Sequence, residues 1–123
     1  MTLKDKHAFI TGGGTGIGLA IAQDLAAKGA KVTITGRRQE VLDAVSGNGI
    51  SGMAMDVRDE AQVTDTIARA VEANGPVQIC LANAGVAEGR SLHKTDLDFW
   101  RDMMATNLDG AFLTIRESLK SMR

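Results

Sequence analysis

The residues best suited to chemistry in this sequence form a glycine-rich stretch near the N-terminus. It reads TGGGTGIG at residues 11–18 and follows the short apolar run of residues 8–10. Glycines at a strand-to-helix turn let a phosphate approach the backbone, and the helix N-terminus presents unpaired N–H groups and a positive dipole end. We therefore interpret residues 11–18 as an anion-binding turn, with a flexible helix-capping loop as the alternative.

The spacing of these glycines is more specific than their number. Gly12, Gly16 and Gly18 follow the pattern G-x-x-x-G-x-G rather than the commoner G-x-G-x-x-G of dinucleotide-binding turns. Apolar residues then recur at helical spacing, at Ile17, Ala20, Ile21 and Leu25. This pattern predicts that a helix begins within the turn.

Two arginines follow the second apolar run, about twenty residues beyond the glycines, where NAD-binding turns carry an acidic residue for the ribose 2′-hydroxyl. Gly36 occupies that place, and Arg37 and Arg38 come next. A guanidinium fork suits a 2′-phosphate, so this pair favours NADP(H) over NAD(H). The alternative is a solvated start to a charged helix.

Two further turns carry polar or small residues. Asp56-Val57 follows the third apolar run, where the carboxylate is placed to accept from an adenine amino group and the Val57 N–H to support the ring. The segment Asn83-Ala84-Gly85 follows the fourth run, where small residues admit a ligand and the Asn amide can join two strand ends. An ordinary Asp turn and an ordinary Asn-Gly turn are the alternatives.

Asn107 is a polar residue on an apolar helical stripe. The stripe consists of Trp100, Met104, Leu108, Ala111, Ile115 and Leu119 on one long C-terminal helix. A buried amide needs hydrogen-bond partners, so Asn107 is either functional or bonded only to nearby backbone.

Short apolar runs alternate with helical patterns along the whole chain. We predict strands around residues 8–10, 32–35, 53–55 and 77–82, the third ending at Asp56, and helix starts at Asp59/Gln62 and Thr95/Asp98. Such alternation predicts a doubly wound parallel α/β sheet with helices on both faces. Ligands of these sheets bind at the carboxyl ends of the strands, where all four turns above lie.

The bulk properties narrow the function classes. The chain has 123 residues, 44% of them apolar, and a formal net charge of −1, which fits one domain and offers no basic patch for nucleic acid. No apolar run approaches the length of a membrane span, and the two histidines lack partners at metal-ligand spacing. The single cysteine, Cys80, fits a structural thiol in a reducing compartment. We expect a cytoplasmic protein without a metal site.

Taken in order, the motifs T-G-x-x-x-G-x-G, D-V, N-A-G and the helical Asn resemble the short-chain dehydrogenases/reductases over the whole chain. The resemblance implies an NAD(P)-binding Rossmann fold in which the glycine turn holds the pyrophosphate, Asp56 contacts adenine and Asn83 orders the sheet beside the nicotinamide ribose. Asn107 would be the catalytic Asn, which kinks its helix and holds a water linked to the active-site lysine. The candidate cofactor-binding residues are Gly12, Gly14, Thr15, Gly16, Ile17, Gly18, Arg37, Arg38, Asp56, Val57, Asn83, Ala84 and Gly85.

The family's Ser and Tyr-x-x-x-Lys are expected on a strand and helix that would follow residue 123, and the sequence contains no tyrosine. We therefore expect residues 1–123 to be the N-terminal part of a single NAD(P)-binding Rossmann domain, inactive by itself. The expected activity of the complete protein is NADP(H)-dependent oxidoreduction of a 3-oxoacyl thioester, sugar or other secondary alcohol, in a homodimer or homotetramer. A non-catalytic dinucleotide-binding module or assembly subunit is the alternative.

Overall fold

A computed structural model describes residues 2–85 and 90–122, and its centre is a four-stranded parallel sheet of order β3-β2-β1-β4. The strands are β1 His7–Thr11, β2 Lys31–Gly36, β3 Ile50–Ala54 and β4 Ile79–Ala82. The helices are α1 Gly16–Ala27, α2 Gln39–Asp43, α3 Glu60–Asn74, α4 Leu97–Met104 and α5 Gly110–Ser121, with a 3₁₀ turn at Leu92–Lys94 and a π-helical turn at Ala105–Asp109. This is the predicted Rossmann-like α/β fold in an incomplete form.

Helices cover both faces of the sheet because alternate strand residues point to opposite sides. On one face Ala8, Ile10, Val32 and Ile34 pack with α1 and α2 through residues such as Ala22 and Leu42. On the other face, Phe9 packs with Val63 and Ile67 of α3 and Leu113 of α5. The two apolar layers hold the strand ends in fixed positions at one edge of the sheet.

The structure corrects the predicted end of the third strand. β3 runs over Ile50–Ala54 and therefore ends two residues before Asp56. The Met55 N–H still donates to Gly36 O over 2.8 Å, so the chain leaves the sheet only after that bond. Asp56 lies in the loop between β3 and α3.

The start of α4 is also corrected. The capping residue is Asp96, whose carboxylate accepts from the Phe99 N–H, rather than Thr95. At α3 the predicted cap is confirmed, because Asp59 accepts from the Gln62 N–H at 3.1 Å. Thr95 and Asp96 each carry a side-chain oxygen that can cap a helix, so the sequence pattern does not show which of the two is the capping residue.

The predicted apolar stripes of α1 and of the C-terminal helices are confirmed only in part, since Ile21 and Leu25 of α1 pack against the core as predicted. In α1 the small residues Gly18 and Ala22 are buried because they let the helix approach the sheet, whereas Ile17 is 75% exposed. In α5 the buried residues are Gly110, Leu113, Thr114, Glu117 and Ser118. The residues left largely in solvent include Trp100, Leu108, Phe112, Ile115 and Leu119.

Within the described ranges, none of the helices is both long and apolar enough to cross a membrane.

Candidate functional site

The turn after β1 brings the backbone of the glycine stretch against the turn after β4. Gly12 has φ +66°, a left-handed conformation that favours glycine, and a Cβ there would lie 3.0 Å from the Ala84 Cα. A Cβ at Gly18 would meet the Gly12 carbonyl oxygen and would lie 2.6 Å from Asn83 Nδ2. These two positions require glycine because backbone and side chain occupy the space.

Hydrogen bonds join the same two turns. Thr11 Oγ1 accepts from the N–H groups of Asn83 and Ala84, each over 3.0 Å. Asn83 Nδ2 donates to Gly12 O over 3.2 Å. Asn83 thus joins two strand ends, as its sequence position predicted. Thr11, which is not among the candidate site residues, joins the same two turns through its hydroxyl.

The N-terminus of α1 is open toward solvent beside this turn. Thr15 is the capping residue but makes no side-chain hydrogen bond to the helix, and Thr15, Gly16 and Ile17 are exposed. The first N–H groups of a helix have no partner within the helix, and they attract anions when no side chain caps them. This end of α1 therefore fits a phosphate group. Gly14 is buried beside it, and a Cβ there would lie 3.1 Å from Leu42 Cδ2.

Arg37 and Arg38 differ in their surroundings. Arg38 Nε donates to Glu40 Oε1 over 2.9 Å on an exposed surface. Arg37 makes no hydrogen bond or ion pair with any part of the chain that the structure describes, and it faces the recess beside Gly12 and Thr15. Of the two guanidinium groups, that of Arg37 is the more available to an anionic ligand.

Asp56 is engaged by a residue that sequence reasoning missed. Arg58 Nη2 donates to Asp56 Oδ2 over 2.8 Å, and the backbone and Nε N–H groups of Arg58 donate to Oδ1, each over 3.0 Å. These hydrogen bonds, with a smaller contribution from the charge of Arg37, lower the pKa of the Asp56 carboxyl. Asp56 is therefore a fixed anion, and no hydrogen bond within residues 2–85 and 90–122 uses the Val57 N–H next to it.

Asn107 lies in the π-helical turn that separates α4 from α5, and its side chain is exposed rather than buried as the apolar stripe predicted. Such turns interrupt the regular α-helical ladder and occur often at functional sites. The side chain reaches the turn after β4, because Asn107 Oδ1 would lie 3.0 Å from a Cβ built at Gly85. The kink implied by the family resemblance thus coincides with the π-turn, and Gly85 makes room for the amide.

Two continuous recesses connect these turns along the carboxyl edge of the sheet. The inner one has a volume of about 260 Å³ and is lined by Gly12, Thr15, Arg37, Met55, Asp56, Val57, Ala84, Gly85 and Thr106. The outer one, about 530 Å³, is lined by Gly12, Gly14, Thr15, Arg37, Arg38 and Val41. The turns that follow all four strands therefore border one cleft.

The cleft includes residues that the motifs did not mark. Met55 and Thr106 line it because of the path of β3 and the packing of the π-turn, and neither residue type carries a sequence signal for that role. Arg58 follows Asp56-Val57 directly, so an arginine two residues after a turn Asp is a usable signal for the bidentate pair.

The described residues offer little support for metal or thiol chemistry. No group of three or more His, Cys, Asp and Glu side chains there is placed to hold a metal ion. Cys80 is half-buried in β4, and its burial raises the pKa of the thiol. A raised thiol pKa reduces the reactive thiolate, which fits a structural cysteine.

Comparison with known proteins gives consistent results. The family model described as short chain dehydrogenase matches residues 6–123. Over 98% of the chain, the sequence is 39% identical to an NADP-dependent (R)-specific alcohol dehydrogenase of Lentilactobacillus kefiri and 34% identical to a 3-dehydrosphinganine reductase of Arabidopsis thaliana. Over 96% of the chain, it is 34% identical to the 3-oxoacyl-[acyl-carrier-protein] reductase MabA of Mycobacterium avium.

These matches cover only part of each relative. The chain spans 50% of the alcohol dehydrogenase, 38% of the sphinganine reductase and 44% of the oxoacyl reductase.

Proposed function

This chain belongs to the short-chain dehydrogenase family, and on that premise we propose that it forms the cofactor-binding part of an NADP(H)-dependent oxidoreductase. The complete protein would transfer hydride between the nicotinamide and a carbonyl/alcohol pair. The observation that carries the proposal is the single cleft at the carboxyl edge of the sheet, which joins the open N-terminus of α1 to the guanidinium of Arg37. NADP(H) carries a phosphate group for each of these places, the pyrophosphate and the 2′-phosphate.

The residues present fit such a cofactor. Gly12 and Gly18 keep the turn free of side chains, and the uncapped N-terminus of α1 would hold the pyrophosphate. Arg37, with Arg38 beside it, would bind the 2′-phosphate, and Asp56 and Val57 would contact adenine. When bound, the cofactor supplies hydride exchange at its nicotinamide ring.

At the inner end of the cleft, small residues and the Asn83 amide form the wall beside which the nicotinamide would react. Ala84 and Gly85 line the wall, and Asn83 fixes that wall to Gly12. We assign Asn107, beside Gly85, to the proton-transfer side of the reaction, as the positioning group for a water. A non-catalytic dinucleotide-binding module would use the same cleft, and only turnover separates the two.

We test this function by turnover in the protein that contains this chain. Its activity is measured by loss of NADPH absorbance with a 3-oxoacyl thioester, a keto sugar and a simple ketone as alternative substrates. We expect NADPH consumption with at least one carbonyl and an Asn107→Ala variant with kcat lowered by about a hundredfold, the lower end of the range for general acid–base effects. NADPH binding without consumption, across all three substrates, would instead support the binding module.

We also propose that the complete protein is a homodimer or homotetramer in a reducing compartment such as the cytoplasm. The support is the apolar face of α4 and α5, where Phe112 and Leu119 are each 59% exposed. Exposed apolar patches of this kind mark association surfaces in many proteins.

A further inference from the structure

The outer edge of β3 is covered by side-chain and turn hydrogen bonds. β3 is the last strand of the sheet, so the backbone groups that point away from β2 have no strand partner. Ile50 forms an antiparallel pair with Gly47 in its own preceding turn. Two further edge groups, Gly52 O and the Ala54 N–H, are both bonded by the side chain of Gln39.

The Gln39 side-chain amide therefore makes hydrogen bonds to β3 that a neighbouring strand would otherwise make. Its Oε1 accepts from the Ala54 N–H over 2.9 Å, and its Nε2 donates to Gly52 O over 3.2 Å. The remaining proton of Nε2 goes to Asp43 Oδ1 over 2.8 Å, one turn further along α2. Two of the hydrogen bonds of this amide thus join α2 to β3, and the third lies within α2.

This contact fixes one end of the loop that carries the two arginines. Gly36 O, before the loop, accepts from the Met55 N–H over 2.8 Å, and Gln39, after it, holds the N–H of Ala54. Consecutive N–H groups at the end of β3 thus hold both ends of the two-residue loop 37–38. The loop is also bonded to α2, because the Arg38 carbonyl accepts from the Val41 N–H over 3.2 Å and from the Leu42 N–H over 3.4 Å. The Arg38–Glu40 ion pair adds little, since it joins two exposed side chains that solvent screens.

The body of α2 is held separately by apolar packing. Leu42 is 1% exposed, and a Cβ built at Gly52 would lie 2.6 Å from Leu42 Cβ. This packing seats the helix on the sheet without depending on Gln39, whose hydrogen bonds to Gly52 and Ala54 lie in an exposed environment. Removing the Gln39 amide should therefore loosen the connection between the arginine loop and the end of β3 while leaving α2 in place.

We propose that Gln39 is a positioning residue for cofactor selection: by holding loop 37–38 to the end of β3, it keeps the Arg37 guanidinium at the cleft for the 2′-phosphate. The inference rests on the proposed function, and it adds a residue that touches no cofactor. Because NADH lacks the 2′-phosphate, loss of this positioning must affect NADPH binding selectively.

The test compares dissociation constants for NADPH and NADH, from nicotinamide fluorescence, in the protein that contains this chain. Gln39→Met keeps the side-chain length and removes all three hydrogen bonds. Asp43→Ala is the matched control, because it removes one partner of the Gln39 amide and leaves both bonds to β3. Arg37→Ala and the double variant complete a double-mutant cycle, and a thermal midpoint is recorded for each protein.

We expect Gln39→Met to weaken NADPH binding by about fivefold and to change NADH binding by less than about twofold, with Asp43→Ala close to the wild type. The double variant should bind NADPH no more weakly than Arg37→Ala, because Gln39 acts through Arg37. Equal weakening of both cofactors, or additive losses in the double variant, would overturn the role of Gln39 alone. An unchanged NADPH to NADH ratio in Arg37→Ala would overturn it together with the cofactor assignment.

Discussion

His7 is a buried imidazole at the start of β1 with partners on both ring nitrogens. Nδ1 lies 2.8 Å from Gly75 O, which can only accept, so Nδ1 carries the proton. Nε2 then accepts from the Thr33 hydroxyl over 2.8 Å, and that oxygen accepts in turn from Asn74 Nδ2 over 3.3 Å. The neutral ring satisfies this network, and burial is the main cause that lowers the pKa of His7.

The stability of the protein should therefore depend on the protonation of His7. Below its ordinary pKa of 6.5, the unfolded chain binds a proton at His7 that the folded chain does not, so the free energy of unfolding falls as the pH falls. The slope from this group approaches about 1.4 kcal/mol per pH unit at most. In urea unfolding between pH 7 and 5, the variant His7→Gln should lose this part of the slope.

The matched control is His93→Gln, since His93 is exposed in the 3₁₀ turn. It should keep the slope of the unchanged protein. If His7→Gln shows the same pH dependence as the unchanged protein, the buried neutral imidazole is not the source of the effect.

At the scale of elements, alternation of apolar runs with helical patterns was sufficient to predict β1, β2, β4 and the order of helices along the chain. Hydrophobic periodicity is strong in these segments because both faces of a parallel sheet are buried. The third strand was placed too late because Ser51 and Gly52 interrupt its apolar pattern. Gly52 is explained only by tertiary contact, since Leu42 occupies the space above it.

The C-terminal helices show why an apolar stripe does not identify a buried face by itself. α5 packs on α3 and the sheet through Leu113, Thr114 and Ser118, and it buries Glu117 with them. Lys120 Nζ and Arg116 Nε each lie 2.8 Å from Glu117 Oε2, and these bonds lower the pKa of that carboxyl. A carboxylate on the inner face is tolerated because it is paired, which the sequence pattern does not reveal.

The cleft itself was predictable in outline because strand ends in a parallel sheet share one edge. Gly12 and Thr15 of the glycine turn, Arg37, Asp56-Val57 and Ala84-Gly85 meet there as their positions indicated, while Asn83 is bonded to Gly12 O. The bonds of Gln39 to β3 depend on side-chain geometry, so no motif indicates them, whereas the bidentate pair of Arg58 with Asp56 has only the spacing of the two residues as a signal.

At the scale of the whole molecule, we predict that copies of the protein associate through the exposed apolar face of α4 and α5. Replacing Phe112, which is 59% exposed, by Ser removes a large apolar group from that face without opening a cavity in the core. We expect the mass of the full protein in light scattering to shift from a dimer or tetramer toward smaller species. The reason is the loss of an exposed aromatic side chain from the apolar face.

Leu92→Ser is the matched control, because Leu92 is 86% exposed but lies in the 3₁₀ turn outside the α4–α5 face. It should leave the mass unchanged. Equal masses for Phe112→Ser and the unchanged protein would remove the support for association through this face.

The most direct measurement of the central claim is the affinity of the protein for NADPH and NADH with and without the Arg37 guanidinium. We predict tighter binding of NADPH in the unchanged protein and an Arg37→Ala variant weakened toward NADPH by about tenfold, equivalent to about 1.4 kcal/mol, with NADH affinity within about twofold. Arg69→Ala, which removes an exposed guanidinium paired with Asp65 on α3, should change neither. Equal loss of both cofactors in Arg37→Ala, or a preference of the unchanged protein for NADH, would contradict the account.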